Sequence, residues 1–309
     1  MTEPKLHHYV PRFYLANFVG AKKCLWVYDK DTERSFAASP ERIAAETQFY
    51  RLPENVVIGD ALLIERAFAA LESKAAPIFS RIVTEVGNLA PLEKVSISVE
   101  ERKLLSEFIA AQYFRTAEFR ELIAYLMEGA GLSEADRSQE ERKIVHFMLL
   151  SESGLVEDLA ESVFNAIWMF AKNQSVTPLI TSDHPVCVKD HDSKMWLKGI
   201  GPLTDGSYIV YPVSPSLVLY CKEFTFWETL QDFDFCVSPV LLNDGMVHHE
   251  NCGQAFMASR FLISCTNDFQ EVRKFIPSIG TDMYTREGFA GSEAIKRTAD
   301  YMGKRRPKT

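Results

Sequence analysis

The sequence predicts an α+β fold, a helix-rich single domain with a small mixed or antiparallel sheet. Helices and strands are predicted in runs rather than in strict alternation, which is typical of α+β proteins and argues against a doubly wound sheet. Apolar residues make up 47% of the 309 positions, enough to form a substantial core. We expect residues 1–265 to form one domain and residues 266–309 to form a C-terminal extension with a basic, disordered tail.

The first half of the chain is predicted to carry a hairpin and the longest helices. Pro11 suits the first turn of a short helix because its φ angle is already helical. Ser98 and Glu101 form a Ser-x-x-Glu capping box, which marks the start of another helix. The predicted elements are the short helix after Pro11, strands 24–30 and 34–38, a helical turn 41–45, a strand 48–52, a helix 60–86 kinked at Pro77 and ended by Gly87 and Asn88, and a helix from 98 through 126.

The second half of the chain mixes shorter helices with strands. Apolar spacing predicts helices 139–150, 155–165 and 243–258, and strands 167–171, 179–182, 208–213, 217–221 and 261–264. Residues 183–185 are expected to form a turn after the second of these strands. Beyond residue 266 the pattern is weak and predicts irregular or partly helical structure.

Composition and charge limit the functional classes. Six scattered cysteines without a C-x-x-C pair indicate reduced core thiols, and the chain start lacks a secretory signal, so we expect a cytoplasmic protein with no membrane span. The net charge of −8 argues against general polyanion binding, so any nucleic-acid site must be a local basic cleft. The basic tail is interpreted as a solvated run. Its residues are Lys304, Arg305, Arg306 and Lys308.

The first candidate site is the polar and aromatic segment beside Pro11. Free amides and the dipole at a helix N-terminus favour an anion such as phosphate. An alternative is that one histidine packs in the core while Arg12 pairs with a surface acid, and the residues favour neither interpretation. Adjacent histidines in an extended chain point to opposite faces, so they do not converge on one metal. The candidate residues are His7, His8, Tyr9, Arg12, Tyr14 and Asn17.

Gln112 and Arg115 form a second candidate. On a wheel of about 100° per residue, both fall inside the apolar stripe of the helix after Ser98. Burial of a guanidinium is costly unless it is paired or lines a polar cavity. Either Arg115 forms a buried ion pair that joins two helices, or both side chains face a pocket in which Arg115 holds a phosphate or carboxylate. We favour the pocket.

The third candidate is the strand end formed by Ser182, Asp183 and His184 before Pro185. A rigid strand end is a frequent position for catalytic polar groups. The alternative is an Asx-type turn in which Asp183 only binds nearby amides, and the sequence favours this turn. His248, His249 and Glu250 are interpreted as a solvated helix face. The nucleotide, serine-hydrolase and zinc-protease motifs are absent from the sequence, and no metal or cofactor is expected.

Taken together and in order, these segments resemble a widespread bacterial family classed only as a domain of unknown function. Its members open with an HHYVP-type start and a Tyr-Leu-x-Asn-Phe element, which correspond here to residues 7–11 and 14–18. The likeness continues through Gln112, Arg115 and Thr116, and spans nearly the whole chain. The family more often has Asn at the position of His184, so the resemblance assigns no imidazole chemistry there.

Some members of that family act in bacterial defence against phages, one of them as a DNA glycosylase that removes glucosylated hydroxymethylcytosine. The resemblance therefore implies cleavage of an N-glycosidic bond in double-stranded phage DNA with modified bases, through an oxocarbenium-like sugar. A carboxylate would stabilise that sugar and activate water, a histidine would donate to the departing base, arginines would bind phosphates and tyrosines would stack on the flipped base. The residues assigned are Asp183, His7 and His8 for catalysis, and Tyr9, Arg12, Tyr14, Asn17, Gln112, Arg115, Ser182 and His184 for substrate binding.

Two other functions stay open. A metal-dependent nuclease or phosphodiesterase would use His7 or His8 with Asp183 as metal ligands. A non-catalytic sensor would bind a modified nucleotide without forming product. On the glycosylase hypothesis, replacing Asp183 by Asn abolishes cleavage and leaves folding intact.

Overall fold

The computed structural model describes residues 5–51, 60–129, 133, 138–151, 154–191, 196–197 and 206–279. Within these residues the chain combines helices with three separate sheets, which confirms the predicted α+β class. The helices are α1 Arg12–Ala16, α2 Leu63–Asn88, α3 Val99–Phe114, α4 Ala117–Gly129, α5 Gln139–Ser151, α6 Leu155–Asn165, α7 Asp244–Met257 and α8 Gln270–Phe275. Short 3-10 turns lie at Glu228–Phe233 and Ile276–Ser278.

The strands form sheets of two, four and six strands. They are β1 Leu6–His8, β2 Leu25–Asp29, β3 Arg34–Ala38, β4 Ala45–Thr47, β5 Ile167–Lys172, β6 Thr181–Ser182, β7 Cys187–Lys189, β8 Trp196–Leu197, β9 Tyr208–Ser214, β10 Leu217–Lys222, β11 Cys236–Val237 and β12 Phe261–Ser264. The sheet orders are β1-β4, β3-β2-β12-β6 and β11-β5-β10-β9-β7-β8. Only β11 and β5 run parallel among these pairs, so the large sheet is mixed.

Two local predictions in the first half were wrong. Residues 41–44 form turns and bends rather than a helical turn, and the strand lies at 45–47 rather than at 48–52. Ala44 and Gln48 adopt positive φ angles of 52° and 55° on either side of β4, which confines the extended segment. β4 is extended because it pairs with β1, a partner that the local sequence does not specify. Residues 52–59 lie outside the described part of the chain.

The helix predicted from 98 through 126 is broken at Arg115 and Thr116. The capping box of Ser98 and Glu101 is present as predicted, with the Glu101 amide donating to Ser98 Oγ at 3.2 Å. Arg115 ends α3, and Thr116 Oγ1 accepts the amide hydrogen of Phe119 at 3.4 Å. A threonine in this position begins a new helix because it satisfies a free amide of the first turn.

The large sheet separates two layers of the molecule. Register pairs Tyr208 of β9 with Lys222 of β10 and with Lys189 of β7, so these three side chains share one face. α7 packs on that face, where its Glu250 binds Lys189. Tyr211 points to the other face, which carries α2, α3 and α6, and its ring lies 6.0 Å from that of Phe79 on α2.

The last described elements pack onto the rest of the molecule. Phe269, which caps the start of α8, and Val272 within α8 are buried in a small cluster with Tyr28 of β2. Residues 280–309, including the predicted basic tail, lie outside the described residues. None of the described helices is long and apolar enough to cross a membrane.

Candidate functional site

Helix α1 is fastened to the large sheet by two predicted substrate-binding residues. The Tyr14 hydroxyl donates to the carbonyl of Pro212 at 2.6 Å, and its ring stacks on Tyr211 with centroids 5.1 Å apart. The Asn17 amide donates to the carbonyl of Val213 at 3.1 Å. Tyr14 is fully buried. These contacts position the N-terminal segment. They engage the Tyr14 hydroxyl and the Asn17 amide nitrogen within the protein, although both residues were predicted to bind substrate.

The two histidines point in opposite directions, as expected for a strand. His7 is fully buried, accepts a hydrogen bond at Nδ1 from the amide of Tyr50 at 3.1 Å and stacks on that ring. His8 is half-buried and donates from Nε2 to the carbonyl of Glu41 at 3.2 Å. Burial lowers the pKa of His8, and the charge of Arg12 adds to the effect. His7 is therefore a core residue, and His8 is the more accessible imidazole of the pair.

Arg115 forms the buried ion pair rather than facing a pocket, which corrects the prediction from the sequence. Its side chain is 2% exposed and lies 2.7 Å from a carboxylate oxygen of Glu72 on α2. A second guanidinium nitrogen donates to the carbonyl of His8 at 2.6 Å. The guanidinium also stacks over Phe68 at 4.2 Å from the ring centre. Arg115 thus joins α2, α3 and β1, and its donors are engaged within the protein.

Gln112 also binds the backbone of the N-terminal segment. Its Nε2 donates to the carbonyl of Tyr9 at 3.0 Å, and the residue is fully buried. Its Oε1 accepts no hydrogen bond from the described residues. The hydrogen bond from Nε2 anchors the carbonyl of Tyr9, and this is the role that the geometry supports for the side chain. The buried oxygen without a partner costs free energy.

Asp183 is held by backbone amides from a distant segment. Its Oδ1 accepts from the amide of Ser259 at 2.9 Å, and its Oδ2 accepts from Arg260 and Phe261 at 2.7 and 2.8 Å. The residue is 1% exposed. Burial raises the pKa of Asp183 to about 6, whereas the amides of Phe261 and Arg260 act to lower it. Both oxygens are occupied, so the structure supports the amide-binding interpretation over the catalytic one.

Ser182 and His184 connect the same turn to two helices. Ser182 Oγ donates to the Gln254 carboxamide of α7 at 2.8 Å and accepts the amide hydrogen of His184 at 3.2 Å. His184 Nδ1 lies 2.5 Å from Thr116 Oγ1, and its ring meets that of Tyr113 edge-on at 5.0 Å. Both side chains are buried, which places them in the packing between helices rather than at an accessible surface.

Tyr9 belongs to the N-terminal segment and is buried. Its ring packs on Phe49 with centroids 5.2 Å apart, and 3% of the residue is exposed. Burial raises the pKa of Tyr9 well above 10, and the charge of Asp183 raises it further. Tyr9 is therefore a buried residue on which the charge of Asp183 acts.

A group of charged side chains lies together where β1, α1, α2 and α3 meet. We call it the N-terminal charged cluster, and its residues are His8, Arg12, Glu65, Glu72 and Arg115. The charges of Arg115, Glu72 and Arg12 all act on Glu65, and those of Arg12, Glu72 and Arg115 all act on His8. Arg12 is exposed, while the side chains of Glu65 and Glu72 are 19% and 24% exposed. Apart from the buried Arg115, the members of the cluster are therefore at least partly accessible from solvent.

Glu65 is the titratable group that distinguishes this cluster. Its Oε2 lies 4.0 Å from His7 Nδ1 and accepts no hydrogen bond from the described residues. Burial raises the pKa of Glu65 to about 6, with Arg115 acting to lower it and Glu72 to raise it. That oxygen is buried, but the side chain as a whole is 19% exposed, so a carboxyl group with a pKa near neutral can exchange a proton with water through its exposed part.

Glu65 and Glu72 were not among the residues predicted from the sequence, although a signal for them is present. Positions 65, 68 and 72 are spaced i, i+3 and i+7, so both carboxylates lie on the helix face of Phe68, an apolar residue that is buried. The same wheel argument identifies Gln112 and Arg115 on the next helix. An acidic residue within an apolar stripe requires a partner or a cavity, and Glu72 has Arg115.

Basic side chains lie close to the cluster. Arg51 and Lys143, both half-buried, line a narrow cleft with Ile64, the residue before Glu65. This cleft provides local positive charge on a chain whose net charge is −8. Within the described ranges, no group of three or more His, Cys, Asp or Glu side chains is arranged to hold a metal ion.

Comparison with known proteins identifies one family. The model of the family described as "Protein of unknown function (DUF4238)" matches residues 6–268. No curated protein matches the chain, and no solved structure does.

Proposed function

The chain belongs to the DUF4238 family, and from this premise and the N-terminal charged cluster we propose that it is a DNA glycosylase. It would excise glucosylated hydroxymethylcytosine from double-stranded phage DNA in antiviral defence and leave an abasic site. The substrate and the defence role rest on the resemblance of the HHYVP and Tyr-Leu-x-Asn-Phe segments to family members with that activity.

The observation that carries the catalytic part of the proposal is Glu65. Cleavage of an N-glycosidic bond needs a carboxylate that stabilises an oxocarbenium-like sugar and activates water. Glu65 has a side chain that is 19% exposed and a pKa of about 6, so it reaches solvent and is mostly ionised at neutral pH. We assign to Glu65 the role predicted from the sequence for Asp183, whose oxygens are bound by three amides.

Two further members of the cluster have roles that follow from their exposure. His8 is the more accessible histidine and is the candidate to form a hydrogen bond with the departing base. Arg12 is exposed and is the candidate to bind a phosphate beside an extruded nucleotide.

The test uses purified protein with two duplexes in EDTA, one plain and one carrying glucosylated hydroxymethylcytosine. Alkali-labile sites and released base, the latter by mass spectrometry, are measured for wild type, Glu65→Gln and Glu161→Gln. Glu161 is an exposed glutamate on α6 and serves as the matched control. We expect abasic sites only in the modified duplex, their loss in Glu65→Gln by at least about a hundredfold, and wild-type activity in Glu161→Gln.

Other outcomes would identify the alternative functions. Strand breaks that disappear in EDTA would indicate the metal-dependent nuclease. Tight binding of the modified duplex without product, with or without divalent metal, would indicate the sensor. Wild-type excision by Glu65→Gln would remove the catalytic role of Glu65 while leaving the glycosylase activity established.

A further inference from the structure

A pocket lies on the opposite face of the large sheet from the N-terminal segment. Its volume is about 660 Å³, within the usual range for small-molecule sites. Its walls are mainly apolar and include Met169 of β5, Leu242, which precedes α7, and Met246 of α7. The glycosylase proposal assigns no role to these residues.

Side-chain alternation separates this pocket from the N-terminal charged cluster. Tyr208 on β9 and Tyr220 on β10 line the pocket. Tyr211, three positions along β9, faces the other way and stacks on Tyr14. The sheet therefore lies between the two regions, and a ligand in this pocket would not contact the residues proposed for glycosylase chemistry.

Two opposite charges at the pocket wall, those of Lys189 and Glu250, neutralise each other. Lys189 Nζ, on a side chain that is 1% exposed, lies 2.9 and 3.0 Å from the two oxygens of Glu250. The hydroxyl of Tyr220 donates to the same carboxylate at 3.1 Å. Glu250 is 8% exposed, which corrects the prediction that it lies on a solvated helix face. The pair leaves no charge at this wall for a ligand to balance.

Lys222 supplies a second cation. Among the described residues, no carboxylate lies within salt-bridge distance of its ammonium group. Its Nζ lies 3.8 Å from the ring centre of Trp227 and 4.1 Å from that of Tyr208. Burial lowers the pKa of Lys222 to about 8, with Lys189 adding to the effect and Glu250 opposing it. An ammonium group in this environment has lost much of its hydration and gains from binding an anion.

We propose that this pocket binds a small amphipathic molecule with an apolar body and one anionic group. The anionic group, a carboxylate or its phosphate or sulfonate equivalent, binds Lys222. The apolar body packs against Met169, Leu242 and Met246. A single negative charge is required because Lys189 and Glu250 neutralise each other, so Lys222 is the charge that a ligand complements.

The test uses two fluorescent probes that differ in one charge. Anilinonaphthalene sulfonate has an apolar aromatic body and a sulfonate, and N-phenylnaphthylamine has the same body without the charge. Both are titrated into wild type, Lys222→Met, Lys222→Arg and Lys103→Met, whose wild-type residue is exposed on α3. We expect Lys222→Met to weaken sulfonate binding at least tenfold and to leave the neutral probe unaffected. Lys222→Arg and Lys103→Met should both bind the sulfonate as wild type does.

A second variant locates the probes. Met246→Trp fills the pocket from a side chain that is 38% exposed, so the substitution is compatible with folding. It should weaken both probes, with an unchanged thermal unfolding curve. Equal sulfonate affinity in wild type and Lys222→Met, equal losses for both probes in Lys222→Met, or unchanged binding in Met246→Trp would each overturn the proposal.

Discussion

The carboxylate of Glu72 on α2 lies 2.7 Å from the guanidinium of Arg115 at the end of α3, and the same guanidinium holds the carbonyl of His8. We expect Arg115→Met to lower the free energy of unfolding by about 3 kcal/mol, because it leaves a partly buried carboxylate unpaired and a carbonyl without its donor. Urea denaturation measures this change.

A control for that variant exists on α2. Arg81 pairs with Glu85 and Glu101 from a side chain that is 38% exposed, so Arg81→Met should cost less than about 1 kcal/mol. If Arg115→Met were as stable as Arg81→Met, Arg115 would not have the structural role that its contacts indicate.

The contacts of the Asp183 carboxylate predict that Asp183→Asn destabilises the protein, whereas the sequence led us to expect that this variant folds normally. In Asp183→Asn, the amide nitrogen must face one of the amide donors of Ser259, Arg260 or Phe261. We expect a loss of about 2–3 kcal/mol, because a charge-assisted acceptor is replaced by a second donor. Thermal unfolding measures it, and an unchanged transition would contradict the assignment.

Glu65 predicts the pH dependence of the proposed excision. A general base must be ionised, and the pKa of Glu65 lies at about 6. The excision rate should therefore fall as the pH drops through about 6, tenfold for each further unit of acid. Initial rates between pH 5 and 8 test this on the modified duplex. A rate that rises below pH 6 would instead make Glu65 the proton donor.

His146 predicts a loss of stability in acid. It accepts at Nδ1 from Arg120 and donates at Nε2 to the carbonyl of Phe114, and burial lowers its pKa from 6.5 to about 3. Between these values the unfolded chain binds the proton and the folded chain does not, so the free energy of unfolding falls as the pH falls. This contribution amounts to about 2 kcal/mol between pH 7 and pH 5.

The variant His146→Gln isolates this contribution. Glutamine can still donate to the carbonyl of Phe114 but does not titrate. The difference in free energy of unfolding between pH 7 and pH 5 should therefore shrink by about 2 kcal/mol relative to wild type. Urea denaturation at the two pH values gives this difference regardless of the stability that the substitution itself costs. Equal differences in the two proteins would show that His146 does not titrate as expected.

Lys222 predicts the pH dependence of probe binding. It is faced by Lys189 of β7, Tyr208 of β9, Tyr220 of β10 and Glu250 of α7, and its pKa lies at about 8. The ammonium form predominates below that value and is lost as the pH rises through it. The affinity for the sulfonate probe should fall above pH 8, while that for the neutral probe stays constant. Parallel behaviour of the two probes would contradict the assigned charge pairing.

Local features of the fold were predictable because nearby residues determine them. The bounds of α6 and β12 were predicted at their observed residues, and the capping box of Ser98 and Glu101 forms as the sequence indicated. The break at Thr116 was missed because the apolar stripe continues across it. There, Thr116 Oγ1 accepts the amide hydrogen of Phe119 in the first turn of α4 and also contacts His184, 68 positions away, which the local pattern does not show.

The candidate site was harder to predict because its contacts span long sequence separations. The amides that hold Asp183 lie 76 to 78 positions later in the chain, and Lys189 and Glu250 are 61 positions apart. No local pattern shows which of these polar residues will meet. Residue type alone therefore did not show that three amides bind Asp183 or that Glu250 is buried against Lys189.

The anchoring of α1 to β9 also has a consequence in time. Tyr14 and Asn17 bond to carbonyls 198 and 196 positions further along the chain. At a synthesis rate of about 5–20 residues per second, roughly 10 to 40 seconds pass before those carbonyls exist. During that interval α1 has been synthesised, but β9, the strand that covers one of its faces, has not. Helix α1 therefore reaches its final contacts only after β9 has been synthesised.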